Sequence, residues 1–243
     1  MSYGTNAPAG LQAIRTQTDA SWSGKVNTYQ IASGYANNIG IGDLVTLNPA
    51  GFIVNYSDYT AAPVASAAAV CQPILGVFNG LLVIPSGVQA FNTQGNASQP
   101  YFAAGTTSNQ PIYCSVIVDP NVVYTIQVGT GVNQTGMPQA GAATQGNVGG
   151  FASVAYQFSS GGYGNGTVAG TGVVAVNPNG TSSMYLAIDS YLAGNPNPTT
   201  ATNLNVSFFI DGITNYQNNV SGLNYNNVDV MIAFHRFRFM YGA

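Results

Sequence analysis

The feature that most constrains this chain is its shortage of charge. In 243 residues there are four cations (Arg15, Lys25, Arg236 and Arg238), seven Asp, no Glu and a single histidine, His235. Surface helices are built largely from Glu, Lys, Arg and Ala, and glycine weakens their interiors. This chain has 30 Gly and 12 Pro among abundant Asn, Ser, Thr, Val and Tyr, which are the residues of strands and turns. Its hydrophobic fraction of 46%, with 15 Tyr and 11 Phe, is enough for a sizeable core. Low charge is therefore no sign of disorder here, because disordered chains combine high charge with few aromatics.

The same shortage bears on function. Most enzyme chemistry is done by ionisable groups with tuned pKa values, and this chain has few to tune; no catalytic residue is expected. A net charge of −3 without a basic patch argues against nucleic acid as a partner. A surface with so little charge is poorly protected against association, which suits a chain that partners cover. Cys71 and Cys114 have neither CxxC spacing nor a second His, so no metal or other cofactor is expected. Two buried free thiols are favoured over a disulfide between them, since free Cys packs as a small hydrophobe. The first 22 residues lack the apolar stretch of a signal peptide. The apolar segment 61–84 is broken by Pro63, Gln72, Pro73, Gly76, Asn79 and Gly80, so no membrane span is expected and the chain is read as made in the cytoplasm.

Residues 1–34 are polar and aperiodic and are expected to form an extended N-terminal arm. Residues 35–243 are expected to form an all-β domain, with 130–150 as the place where two lobes would divide. Within it, 42–54 reads as a hairpin around Asn48-Pro49-Ala50-Gly51. Short strands are expected at 72–78 and 81–84. Longer ones at 112–118 and 122–128 are joined by the turn residues Asp119-Pro120-Asn121. A glycine-rich zone, 129–172, holds weak strands at 151–158 and 167–170. Strands at 173–176 and 184–188 flank Asn177-Pro178-Asn179-Gly180, and 204–210 and 228–239 complete the set. No repeat of fixed period is present. Many short strands with Gly, Asn and Pro turns and no helix point to a jelly roll, β-sandwich or barrel.

His235-Arg236-Phe237-Arg238 is the densest cluster of polar chemistry. Its nearest carboxylate in sequence, Asp229, lies roughly 20 Å away along an extended strand, too far for local pairing. No Gly-x-Ser-x-Gly elbow supports a hydrolase. The loop Gly161-Gly162-Tyr163-Gly164-Asn165-Gly166 has no Lys to bind phosphate and is read as a turn. Arg15, Trp22, Lys25, Arg236 and Arg238 are the candidate interface residues: Trp is an anchor type at interfaces, and long cationic stems pack while their heads reach polar partners.

Five segments occur in one order: Gly42-Asp43-Leu44-Val45 running on to Gly51, Pro73-Ile74-Leu75-Gly76-Val77-Phe78-Asn79-Gly80, Tyr101-Phe102-Ala103-Ala104-Gly105-Thr106, Val118-Asp119-Pro120-Asn121-Val122, and Val228-Asp229-Val230-Met231-Ile232 running on to His235. Together they resemble the head decoration, or cement, proteins of tailed bacteriophages. The resemblance covers most of the chain from about residue 35, and the Val-Asp-Pro-Asn block is its sharpest part. It implies a homotrimer on the outer face of an icosahedral head, with the major capsid protein as partner and the virion as location. The rival readings are another virion component (a coat, tail or fibre subunit) and a glycan-binding surface module, for which Tyr and Asn side chains would supply stacking and hydrogen bonds.

Overall fold

The computed structural model describes residues 8–18, 20–56, 74–82, 101–130, 140–157, 163–165, 174–192, 208–214, 219 and 221–232. The protein is all-β over these residues. Its strands form two closed rings, so of the three architectures left open by the sequence the barrel is the one formed.

The first ring contains β2 (Asn27–Ile31), β3 (Leu44–Leu47), β4 (Ile53–Asn55), β5 (Gly76–Leu81) and β6 (Ile112–Ile117), hydrogen-bonded in the order β2-β4-β3-β5-β6 and back to β2. The hairpin β3–β4 turns where Asn48 and Gly51 dictate. The Asn48 side-chain oxygen accepts from the amides of Ala50 and Phe52, both at 3.0 Å, and Gly51 sits at φ 84, a conformation glycine adopts without penalty. Instead of two strands at 72–78 and 81–84, a single strand runs through Asn79 and Gly80. The expected break is a bulge, a register shift between Phe78 and Gly80, with Gly80 at φ 123. Ile31, Ile39, Val45, Ile53, Phe78, Phe102, Ile112 and Val116 fill this ring.

The second ring is built by β7 (Val122–Gly129), β8 (Phe151–Gln157), β10 (Tyr185–Leu192), β11 (Phe208–Ile213) and β12 (Asn227–Ile232). Their order is β7-β10-β8-β11-β12, and β12 pairs back with β7. β9 (Tyr163–Asn165) lies against β8, and β1 (Gln12–Thr16) lies antiparallel against β7, Thr16 opposite Val122. Over its described residues, the segment 1–34 therefore contributes to both sheets: β1 flanks β7 of the second ring, and β2 is a strand of the first. Local periodicity gave no hint of this, because β1 pairs with β7 and β2 with β6, both far along the chain, and the pairing face exists only after those partners fold. The passage between the rings falls at Asp119-Pro120-Asn121, where the Asn121 amide donates to the Asp119 side chain at 2.9 Å; the amide of Gln17 donates to the Asn121 carbonyl at 2.7 Å.

Strand alternation explains how the rings join. On β3, β5 and β6, the residues Val45, Phe78 and Val116 point into the first ring. Their neighbours Leu44, Val77 and Ile117 belong to a larger core that also contains Tyr124, Ile126, Val154, Tyr156, Phe208 and Val228 of the second ring. Successive side chains of a strand face opposite ways, so these strands are apolar on both faces at Leu44, Val77 and Ile117, where the second ring covers the outer one.

Candidate functional site

One edge of the joint is polar. Asp43, at the start of β3, is fully buried and accepts three hydrogen bonds: from the Gly40 amide at 2.7 Å, from the Asn55 side-chain amide at 3.0 Å, and from the Ser182 hydroxyl in a short contact. Gly40 and Asn55 belong to the first ring and its entry loop; Ser182 comes from the segment leading into β10. The backbones meet at the same place, Ser182 donating to the Ile41 carbonyl at 2.8 Å and Ile41 to the Gly180 carbonyl at 3.0 Å. A Cβ at Gly40 would stand 2.9 Å from the Ser182 nitrogen, so only glycine permits this approach. Asn177 extends the seam, its amide donating to the carbonyls of Pro8 at 2.7 Å and Ser182 at 2.8 Å. Burial pushes the Asp43 carboxyl up to about 7, while its three donors pull the other way. The Tyr156 hydroxyl, buried nearby with the Leu44 amide beside it but no well-formed hydrogen bond, is also held well above its usual range by burial, with Asp43 adding to the shift. With Asp43 and Ser182 both at 0% exposure, this seam is a joint between rings rather than a site for an outside ligand.

A second polar cluster lies on the second ring. Arg15 of β1 places one guanidinium nitrogen 2.8 Å from Asp211 of β11 and 3.4 Å from Asp229 of β12. Thr214 donates to the other Asp229 oxygen at 2.7 Å and contacts the Thr125 hydroxyl at 2.9 Å. Burial works against the Arg15 charge, yet the two carboxylates raise its pKa above the ordinary value. Arg15, expected at an interface, thus holds strands of its own chain together. Trp22 packs half-buried against the large core, with its indole nitrogen buried and without a hydrogen-bond partner among the described residues. Lys25 is exposed between β1 and β2. Arg236 and Arg238, with His235, lie outside the described residues, as does Cys71. Cys114 is a free thiol inside the first ring, and burial pushes it up to about 12.

The outer face of the first ring has a different chemistry. Tyr113 of β6 is 41% exposed and Leu82, just after β5, is 38% exposed; they are the large hydrophobic side chains most open to solvent among the described residues. They are neighbours, the Leu82 amide donating to the Tyr113 carbonyl at 3.0 Å. Gln30 stands opposite Tyr113 on the other side and Thr28 opposite Ser115, and Asn79 reaches Ser115 at 3.4 Å. Among the described residues the pair is thus rimmed by amides and hydroxyls. The sequence held a signal for it, since Tyr113 alternates with the inward Ile112 and Cys114; Asp43, Asn55 and Ser182 gave none, being brought together only by the fold.

Among the described residues, no three His, Cys, Asp or Glu side chains gather as a metal site, and no helix is long and apolar enough to cross a membrane. No protein-family model matches this chain, and no curated protein or solved structure matches it.

Proposed function

We propose that this chain is a structural protein of a phage virion: a decoration, or cement, protein that binds the outer face of an icosahedral head as a homotrimer and stabilises contacts between coat subunits. The observation that carries the reading is the exposed pair Tyr113 and Leu82 within its rim of amides and hydroxyls. Interfaces have apolar, aromatic centres and polar edges, and a neutral one is little affected by salt. The order of segments noted in the sequence supports the same reading. So does the internal use of charge: Arg15, Asp211 and Asp229 bind one another, and Asp43 is buried. A protein of this kind adds buried area between subunits of a shell that closes without it.

The test is reconstitution on heads lacking the protein. Added protein should raise the temperature at which such heads release DNA. Tyr113→Ala should leave the protein's own stability within about 0.5 kcal/mol, as for exposed positions generally, but weaken attachment by about 2 kcal/mol, roughly thirtyfold, if Tyr113 is an anchor. Undiminished attachment by this variant would remove Tyr113 from the interface. Heads that fail to assemble at all without the protein would make it a coat or scaffold component. Light scattering at three times the monomer mass is the expected oligomer result. A glycan-binding module is the second reading, favoured by one observation: Tyr113 stands beside the amides and hydroxyls of Gln30, Thr28 and Asn79, which suit a sugar ring. A glycan array separates the two.

A further inference from the structure

We propose that Asp43 and Ser182 form a proton-operated latch between the two rings, closed when the Asp43 carboxyl holds a proton and loosened when it ionises. The geometry places this group at a polar edge of a joint whose core is apolar, with donors from both sides converging on it. Among the described residues no cation balances it. Of the two described cations, Arg15 is bound to Asp211 and Asp229, and Lys25 is exposed. Among the described residues the titratable groups facing it are phenols: Tyr156 from β8, whose hydroxyl senses Asp43, with Tyr35 and Tyr56 beside it. A carboxylate buried without a countercharge favours its neutral form.

The hydrogen-bond inventory says where the proton goes. The Gly40 and Asn55 N–H groups only donate. The Ser182 hydroxyl can also accept, and already does so from the Met184 amide at 2.9 Å. A proton taken from water therefore sits on the Asp43 oxygen facing Ser182, which accepts it and turns its own hydrogen aside. When the proton leaves, the joint retains three donors on a buried, uncompensated charge.

The sign follows from linkage. With the folded carboxyl at about 7 and its ordinary value at 3.8, folded and unfolded chains are both protonated in strong acid, and only the folded chain holds the proton between the two values. The contribution to stability is thus complete below about pH 4 and is lost as pH rises through 7. At full strength it amounts to about a 1,000-fold change in the folding equilibrium, for about three pH units of difference.

The experiment follows the Asp43 carboxyl carbon by carbon-13 NMR in the intact chain, together with hydrogen exchange of the Ile41 and Ser182 amides. The Phe102 amide, bonded to Ile39 within the first ring at 2.9 Å, is the reference. A carboxyl midpoint near 7, with the seam amides exchanging faster relative to Phe102 above it, is expected. A midpoint near 4 overturns the proposal, as does parallel exchange of seam and reference amides across the titration. In denaturation curves, Asp43→Asn should lack the decline in folding constant seen for the natural chain between pH 4 and 7. If that variant does not fold, the carboxyl titration of the natural chain still decides.

Discussion

Where the two rings bury the second face of a strand, they cover it by different means. In the first ring, Leu44, Val77 and Ile117 point away from the ring interior and are apolar because the second ring lies against them. In the second ring, the even-numbered residues Tyr124, Ile126, Phe208, Ile210, Val228 and Val230 form the core, while the odd-numbered Thr125, Gln127, Asn227 and Asp229 are buried and polar. They stay buried because they are satisfied: Thr125 by Thr214, Gln127 by the Tyr225 carbonyl at 3.3 Å, and Asp229 by Thr214 and Arg15, while the Asn219 side chain clasps the Asn227 backbone, accepting from its amide at 2.8 Å. What lies across from a side chain, more than distance from water, decides which chemistry a strand face carries.

The largest effect that sharpens this contrast should come from Phe78→Ala. Phe78 is fully buried in the smaller core, and truncating a buried Phe costs about 3–5 kcal/mol. A loss below about 1 kcal/mol in urea denaturation would mean that the first ring is not closed around it. Next comes a pair of glycines. At Gly76 of β5 a Cβ would run into the Ile117 carbonyl oxygen, whereas at Gly212 of β11 it would meet nothing within 4 Å. Gly76→Ala should therefore cost about 1–3 kcal/mol, and Gly212→Ala should be near neutral. Equal effects in thermal melts would break the contrast between these two positions. The smallest effect belongs to Arg15→Ala. Its side chain is 27% exposed, as is that of Asp211, so solvent screening limits the loss to about 1 kcal/mol, and raising the salt concentration should narrow the gap between variant and natural chain.

Much of the strand content could be read from the sequence because its signals are local. The hairpin at Asn48 to Gly51 and the strands on either side of Asp119-Pro120-Asn121 are marked by apolar runs against turn residues. The closing of two rings could not be read, because it depends on which strands meet. β1 carries little alternation, and β7 alone gives it a place. The polar sites were hidden for the same reason. Arg15 stood out as a cation, but the carboxylates that hold it are 196 and 214 positions further along the chain, and Ser182 lies 139 positions beyond Asp43. Such partners leave no periodic trace.

The pairing of Thr16 with Val122, clasped by the bond from Gln17 to Asn121, makes the first ring an insertion. The chain leaves the second ring at one point, builds a complete barrel, and re-enters where it left. Such an excursion has its ends side by side, so in architectural terms it is a cassette: its loops can lengthen or shorten while the host strands β1 and β7 keep their register, provided that Leu44, Val77 and Ile117 still cover the larger core. The natural unit of modularity in this protein is then the stretch between residues 17 and 121, and grafting experiments or comparisons among variants should cut there.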